Sequence, residues 1–255
     1  MSALGYAAVD GWVVTKRNLT KIKRLPDLLI FSTIQPIMFV LLFAYVFGGA
    51  IKIEGVNYRE YLMAGIFTQT VAFGAAITSI GLADDLQKGI IDRFRSLPMA
   101  RSAVLAGRTM SDTVRNLFVV LLMVSVGTMI GFRIHTGVLP ALVALVVALA
   151  FGFAMSWISA TIGLVLRDVE AAQSAGFVWI FPLVFASSVF VPLRTMPGWL
   201  QAFARANPIT NVANALRALT LGGATTRPLL YSLAWVSAIL LTFSPLATRR
   251  YRKVV

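Results

Sequence analysis

The charged side chains of residues 84–108 are the ones best suited to chemistry, because they interrupt a chain that is otherwise strongly apolar. Eight of these 25 residues carry charge: Asp84, Asp85, Lys88, Asp92, Arg93, Arg95, Arg101 and Arg108. At roughly 2.5–3.5 kcal/mol for each charge at a bilayer centre, burying the segment in lipid would cost on the order of 20 kcal/mol. The segment therefore lies outside the lipid, while its flanks lie within it.

The apolar residues of the same segment recur at spacings of three and four: Leu86, Ile90, Ile91, Phe94 and Leu97. Pro98 follows them and acts as a stop signal. This pattern predicts a short amphipathic helix that is held against another surface.

Motifs for catalysis and cofactor binding are missing from the sequence. There is no G-x-x-x-x-G-K-[ST], no H-E-x-x-H and no G-x-S-x-G, and the chain has one histidine, His135, and no cysteine. The ten acidic residues fall in predicted loops or at the ends of predicted spans, not at mid-membrane depth. We expect no catalytic residue, no metal site and no cofactor in this chain, so any uphill transport takes its energy from elsewhere.

The composition indicates an all-α polytopic membrane protein. Apolar residues make up 58% of the 255 residues and charged residues only 13%, and apolar runs of about 20 residues recur. The net charge of +13 comes from bases that cluster beside the apolar runs. Such bases set topology and contact lipid headgroups, so we expect membrane lipids and not nucleic acid as partners.

Hydropathy predicts six transmembrane helices within a single domain, residues 1–255. The predicted spans are Leu28–Phe47, Tyr61–Leu82, Thr113–Ile130, Val138–Leu166, Ala175–Val191 and Pro228–Ala247. In the third span, Arg115 falls in the first turn and can extend to the interface. Residues 1–27 are basic with an apolar side and predict an interfacial helix, with a disordered basic tail as the alternative.

Residues 192–227 are semi-polar, and their helical pieces are too short to span a bilayer. Met196–Ala206 and Ile209–Thr220 predict two short helices, with Asn207 and Pro208 as the break between them. A re-entrant or surface-lying hairpin is the expected arrangement.

The distribution of basic residues predicts the orientation of the chain. Six spans place both termini on one side, together with residues 84–115 and Arg167, and that side carries 16 of the 23 lysines and arginines. The positive-inside rule makes it the cytoplasmic side. The hairpin of residues 192–227 is then external.

Three groups of residues, in this order and at these distances, resemble the ABC-2 type membrane subunits of ATP-driven exporters. The first group follows the second span and comprises Asp84–Arg93, Leu97–Met99 and Gly107–Arg108. The others lie around the external hairpin: Phe190–Pro192, Met196–Leu200, Asn207–Thr210 and Asn214–Arg217. Within this family, the chain resembles the bacterial daunorubicin/doxorubicin-resistance-type permeases. In contrast to many relatives that begin the loop with glutamates, this chain has more bases than acids there.

The resemblance implies a half-transporter that pairs with a second permease subunit, identical or related, and with two separate ATPase subunits that use ATP and Mg. The segment of residues 84–108 would be the coupling helix that docks on the ATPase, through Asp84, Asp85, Gly89, Ile90, Asp92, Arg93, Phe94, Leu97 and Pro98. The external hairpin would close the outer end of the pathway, through Pro192, Pro197, Trp199, Asn207, Pro208 and Thr210.

The second and fifth spans would line the pathway, through Thr68, Gln69, Phe73, Phe177, Trp179 and Phe181. The expected function is outward transport of drugs, lipids or glycolipids across a bacterial cytoplasmic membrane, with both termini in the cytoplasm. Two other classes stay open at this point. One is a non-transporting polytopic anchor, and the other is a lipid-modifying membrane enzyme.

Overall fold

A computed structural model describes residues 3–24, 26–51, 53, 55–91, 101–166 and 168–254. Within these ranges the regular structure is helical. The α-helices are α1 (Ala3–Arg24), α2 (Pro26–Leu41), α3 (Tyr58–Gln87), α4 (Arg101–Ile130), α5 (Val138–Val165), α6 (Val169–Phe185), α7 (Gly198–Ala206), α8 (Pro208–Leu221) and α9 (Thr226–Val254). A π-helical turn, Leu42–Val46, continues α2, and a 3₁₀ turn, Leu193–Thr195, precedes α7.

Four of these helices are long and apolar enough to cross a membrane: α3, α4 from Ala103, α5, and α9 as far as Arg252. The apolar stretch Thr33–Val46 and α6 are shorter. The predicted fifth span ran to Val191, but α6 ends at Phe185 after 17 residues. At 1.5 Å per residue that is about 25 Å, slightly less than the hydrocarbon thickness of a bilayer.

Helix α3 is the centre of the bundle, and it packs against α4, α5, α6 and α8. Its apolar residues are distributed around the whole helix, as expected for a helix that is buried on all sides. Two glycines allow backbones to approach closely here. A Cβ on Gly65 would lie 2.3 Å from the carbonyl oxygen of Val189, and one on Gly163 would lie 2.6 Å from that of Ser79.

Helix α1 confirms that the basic N-terminal segment is helical, and it packs along the first turns of α4. The Thr15 hydroxyl donates to the carbonyl oxygen of Gly107 at 3.1 Å. A Cβ on Gly107 would lie 2.6 Å from the carbonyl oxygen of Gly11, so glycine is needed at this crossing. Trp12 and Val13 are 63% and 56% exposed, which leaves an apolar side of α1 outside the bundle.

The segment of residues 84–108 is divided among three pieces of structure. Asp84 and Asp85 lie in the last turns of α3 and not in a separate helix, because no helix breaker occurs before Gly89. Gly89 has a φ of +63°, which glycine adopts without strain, and the chain is helical again at Ile90. The predicted docking residues Asp92, Arg93, Phe94, Leu97 and Pro98 lie outside the described residues, and Arg101–Arg108 begin α4.

Candidate translocation cleft and ion-pair network

A cleft of about 360 Å³ lies between α2, α3, α4 and α6. Its apolar wall includes Phe73 and Phe177, whose ring centroids are 6.1 Å apart. Its polar lining residues are Gln35, Gln69, Thr70, Arg115, Asn116 and Gln173. A volume of this size falls within the range of small-molecule sites, which combine an apolar lining with a few polar groups.

Several polar atoms of the residues that line this cleft have no partner within the described part of the chain. They are the Gln69 Oε1, the Thr70 Oγ1 and the Asn116 Nδ2 atoms. All three side chains are buried, with exposures of 1%, 6% and 2%. Because an unpaired polar group costs about 1–3 kcal/mol when buried, a hydrogen-bond partner that reached any of these atoms would be stabilising.

Arg115 also lines the cleft, but its charge is balanced inside the protein. Its guanidinium donates to the Asp112 carboxylate at 2.9 Å and to the carbonyl oxygen of Gly74 at 2.7 Å. The expectation that Arg115 extends to the interface is wrong. Helix α4 begins at Arg101, so Asp112 and Arg115 lie about three turns or more inside it, where both are buried.

The same carboxylate belongs to a network that joins three helices. Asp112 also accepts a hydrogen bond from the Thr78 hydroxyl at 2.6 Å and lies 3.6 Å from Arg108. Arg108 lies 3.4 Å from Asp85, which in turn pairs with Arg17 of α1 at 3.1 Å. The network therefore connects α1 to the end of α3 and to the first half of α4.

This network changes the interpretation of the predicted docking residues. Asp85 was expected to face a partner, but its carboxyl group is 7% exposed and pairs with two arginines of its own chain. Its role within the chain is to hold α1 and α4 to α3. Asp84 is more exposed, and its carboxylate lies 2.6 Å from the Lys88 ammonium, which raises the pKa of Lys88.

Phenylalanine rings connect the cleft to the far end of α2. The series consists of Phe177, Phe73, Phe181, Phe185, Phe39, Phe190, Phe43 and Phe47. Neighbouring centroids are 4.2–6.1 Å apart, the separation at which aromatic rings attract one another. The series gives the cleft an apolar continuation toward the hairpin.

The predicted pathway residues have separate positions in the structure. Gln69, Phe73 and Phe177 line the cleft. Phe181 is 40% exposed, and its ring centroid lies 5.1 Å from that of Phe73. Thr68 is not among the lining residues; it is fully buried, and its hydroxyl donates to the carbonyl oxygen of Ala64. The Trp179 Nε1 atom is buried without a partner among the described residues, and Trp179 is not among the lining residues of the cleft.

The hairpin of residues 192–227 contains the two predicted short helices, as α7 and α8. Asn207 lies between them and caps α8, because its side-chain oxygen accepts a hydrogen bond from the Ile209 N–H at 2.9 Å. Its amide nitrogen donates to the carbonyl oxygens of Leu183 and Ala186, at 2.7 and 2.9 Å, and so fixes the hairpin to the end of α6. Pro208 occupies the first turn of α8, where a missing N–H costs nothing.

The other predicted hairpin residues support the same region. Thr210 accepts a hydrogen bond from the Ser188 N–H at 3.0 Å. Pro192 and Pro197 precede the 3₁₀ turn and α7, respectively. Trp199 is 76% exposed, so its ring is the part of the hairpin that is most available for contact with lipid or a partner.

Arg217 ends the Asn214–Arg217 group that carries the family resemblance, and its place in the structure is not apparent from the sequence. It is buried and donates to the carbonyl oxygens of Tyr61, Ser188 and Val189, and to the side-chain oxygens of Ser188 and Asn214. Its guanidinium carbon lies 3.5 Å from the centroid of the Tyr61 ring. Burial lowers the pKa of Arg217 to about 10, although the phenols of Tyr61 and Tyr58 act in the opposite direction. Arg217 therefore binds α8 to α3 and to the turn after α6.

The sequence matches a known protein family. Residues 10–221 match the model of the ABC-2 type transporter family. The chain belongs to this family. The chain is also 35% identical, over 92% of its length and 83% of the relative's, to a daunorubicin resistance ABC transporter permease protein of Streptomyces coeruleorubidus.

Two other relatives extend this comparison. A probable doxorubicin resistance ABC transporter permease protein of Mycobacterium tuberculosis is 28% identical over 88% of this chain and 82% of its own length. A putative transport permease of Cyanophora paradoxa is 28% identical over 82% of this chain and 73% of its own length. The ABC-2 chain described here is thus similar to permease subunits of ABC transporters, including drug-resistance permeases.

Proposed function

We propose that this ABC-2 chain is the permease subunit of an exporter that moves amphiphilic compounds outward, with ATP hydrolysed by separate subunits. The observation that carries the proposal is the cleft between α2, α3, α4 and α6. It combines buried, unpartnered polar atoms with an aromatic wall, and the aromatic series extends from it toward the hairpin. Substrates of this class, which include drugs, lipids and glycolipids, have both an apolar body and polar groups.

The lining of the cleft indicates which substrate groups it accepts. Gln69 and Asn116 provide a neutral acceptor and a neutral donor, and Arg115 is already paired with Asp112. Hydroxyl, carbonyl or amide groups of a substrate would satisfy these atoms, while the apolar body would rest on Phe73 and Phe177. Hydrogen bonding to neutral groups would therefore orient the substrate.

The segment of residues 84–108 would receive the motion of the ATPase. We place it in the cytoplasm with both termini, within a six-span topology in which α2 and α6 also cross the membrane. The docking residues at positions 92–98 would contact the ATPase. The ion pairs of Asp85 with Arg17 and Arg108 would then transmit a rigid displacement to α1, α3 and α4, the last two of which border the cleft.

The complete transporter would contain two permease subunits, identical or related, and two ATPase subunits that bind ATP and Mg. ATP-driven closure of the ATPase pair would favour one of two states of the permeases, as alternating access requires. The hairpin of α7 and α8 would close the external end of the pathway. The complex would reside in the bacterial cytoplasmic membrane.

Substrate-stimulated ATP hydrolysis by the reconstituted complex tests this proposal. A panel of amphiphilic drugs and lipids is titrated, and the concentration that gives half-maximal stimulation is measured for each compound. Phe177→Ala removes one aromatic contact from the cleft. It should raise this concentration roughly two- to twelvefold, the effect of losing about 0.5–1.5 kcal/mol.

Phe118→Ala is the matched control, because Phe118 is 51% exposed on α4 and does not line the cleft. It should leave the stimulation curve unchanged. If no amphiphile stimulates a complex with active ATPase subunits, the export function is wrong. Equal effects of the two substitutions would instead contradict the assignment of the cleft.

A further inference from the structure

A second cavity, apolar and of about 370 Å³, lies between α4, α5 and α8 and shares no lining residue with the polar cleft. Thr220 is the one hydroxyl-bearing residue in its lining, and the other lining residues are apolar. Three of them, Leu121, Val138 and Leu142, are 50%, 77% and 52% exposed. Since α4 and α5 have the length and composition of membrane-crossing helices, the exposed side of this groove would face the hydrocarbon of the bilayer.

Two arginines contact the end of α4, and one of them, Arg133, lies in the loop that lines the groove. Phe132 and Ile134 line the groove, and Arg133 stands between them in the loop. The Arg133 guanidinium donates to the carbonyl oxygens of Thr128 and Phe132, at 2.9 and 3.1 Å. Arg59 reaches the same helix end, since its guanidinium donates to the carbonyl oxygen of Ile130 at 3.4 Å.

Neither of these arginines is neutralised within the part of the chain that the structure describes. Their contacts are with main-chain carbonyl groups and, for Arg59, with the Tyr45 ring at 5.1 Å. The nearby carboxylate of Glu60 is engaged with His135 at 2.8 Å. Both arginines are exposed, so two positive charges at one helix end remain available to an anion.

The loop that carries Arg133 is held in place by α8. The His135 N–H donates to the carbonyl oxygen of Thr220 at 2.8 Å, and the Thr136 hydroxyl donates to that of Leu219. Thr220 also lines the groove. The loop that carries Arg133 and the apolar groove are thus parts of one fixed structure, which lowers the entropy cost of binding a ligand that uses both.

We propose that this groove is a binding site for one anionic phospholipid. Its phosphate is bound by Arg59 and Arg133, and one acyl chain lies between α4 and α5. Guanidinium groups suit phosphate oxygens because they donate parallel, charge-assisted hydrogen bonds. A lipid is favoured over a free anion because Arg133 stands between two lining residues of the apolar groove, and the exposed lining residues belong to α4 and α5, which can cross a membrane. In the topology proposed above, the lipid belongs to the outer leaflet.

Binding of radiolabelled phosphatidylglycerol to the detergent-purified complex tests the site. Saturable binding is expected, and the double variant Arg59→Gln/Arg133→Gln should weaken it about tenfold through the loss of charge-assisted hydrogen bonds. Both positions are exposed, so the substitutions leave the packed core intact. Arg205→Gln, on the exposed part of α7, removes a positive charge away from the groove and should change binding little.

The groove and the headgroup are separated by two further measurements. Ala141→Phe fills the groove and should weaken binding, whereas Ala238→Phe, which adds the same ring at an exposed position of α9, should not. Diacylglycerol with the same chains should compete poorly, and millimolar inorganic phosphate should not compete. Unchanged affinity in the double arginine variant or in Ala141→Phe overturns the proposal. Displacement of the lipid by inorganic phosphate would also overturn it, because it indicates an anion site that does not use the groove.

Discussion

Replacing Asp112 by Asn removes the central negative charge of the network that joins α1, α3 and α4. The Asp112 side chain is buried and contacts Arg115, Thr78 and Arg108. The substitution keeps the shape but leaves the Arg115 charge, 5% exposed, without its counter-ion. Breaking a buried pair in this way costs about 3–5 kcal/mol of folding free energy.

The converse substitution should cost less. Arg115→Met leaves Asp112 with the Thr78 hydroxyl at 2.6 Å and with Arg108 at 3.6 Å, so the carboxylate keeps partners. We expect a loss of about 1–3 kcal/mol. The double variant Asp112→Asn/Arg115→Met removes both charges and should be more stable than the sum of the single effects by at least about 1.5 kcal/mol.

Unfolding of the purified chain in mixed micelles, titrated with SDS and followed by helix content, measures these differences. Asp168→Asn is the matched control, because this exposed acid caps α6 through the Ala171 N–H at 2.8 Å and Asn is an equally good cap. The control should change stability by less than about 0.5 kcal/mol. A loss below about 1 kcal/mol for Asp112→Asn, or strict additivity in the double variant, would refute the reasoning.

Three further substitutions are measured by the same titration. Gly163→Ala places a Cβ 2.6 Å from the carbonyl oxygen of Ser79 and should destabilise the fold by about 1–3 kcal/mol. Its control is Gly198→Ala, whose new Cβ would have no atom within 4 Å and should not destabilise the fold. Equal effects of the two substitutions would contradict the close packing of α3 against α5. Asn207→Ala removes the cap of α8 and two further hydrogen bonds to the end of α6, and it should cost about 2–3 kcal/mol of folding free energy. A loss smaller than that of an ordinary cap would contradict the contribution of the two bonds to α6. Arg217→Lys replaces a guanidinium that donates to five acceptor atoms with a single ammonium, and it should cost about 2–4 kcal/mol of folding free energy. Unchanged stability would show that the guanidinium geometry is unnecessary.

Hydropathy and turn chemistry were enough to predict the helical class and the main elements. Apolar runs locate α3, α4, α5 and α9 because a membrane-crossing helix must be apolar over most of its length. Asn207 and Pro208 locate the break between α7 and α8, since one caps a helix and the other begins it. These are local properties, and they can be seen in a short stretch of sequence.

The ion-pair network could not be predicted because it depends on how helices are rotated against each other. Arg17, Asp85 and Asp112 are far apart in sequence, and their pairing requires the register of α1, α3 and α4. Hydropathy alone placed Asp112 at a span boundary, yet α4 extends about three turns before it. Arg217 was missed for the same reason, since its acceptors come from α3 and from the turn after α6.

ATP-dependent transport in reconstituted vesicles tests the central claim most directly. The purified complex is placed in vesicles with its ATPase face outward, and accumulation of a fluorescent amphiphile is followed after ATP is added. We predict accumulation with the complete, ATP-hydrolysing complex, and none with the permease alone or with ATPase subunits that cannot hydrolyse ATP. Equal accumulation by the permease chain without any ATPase would contradict the account.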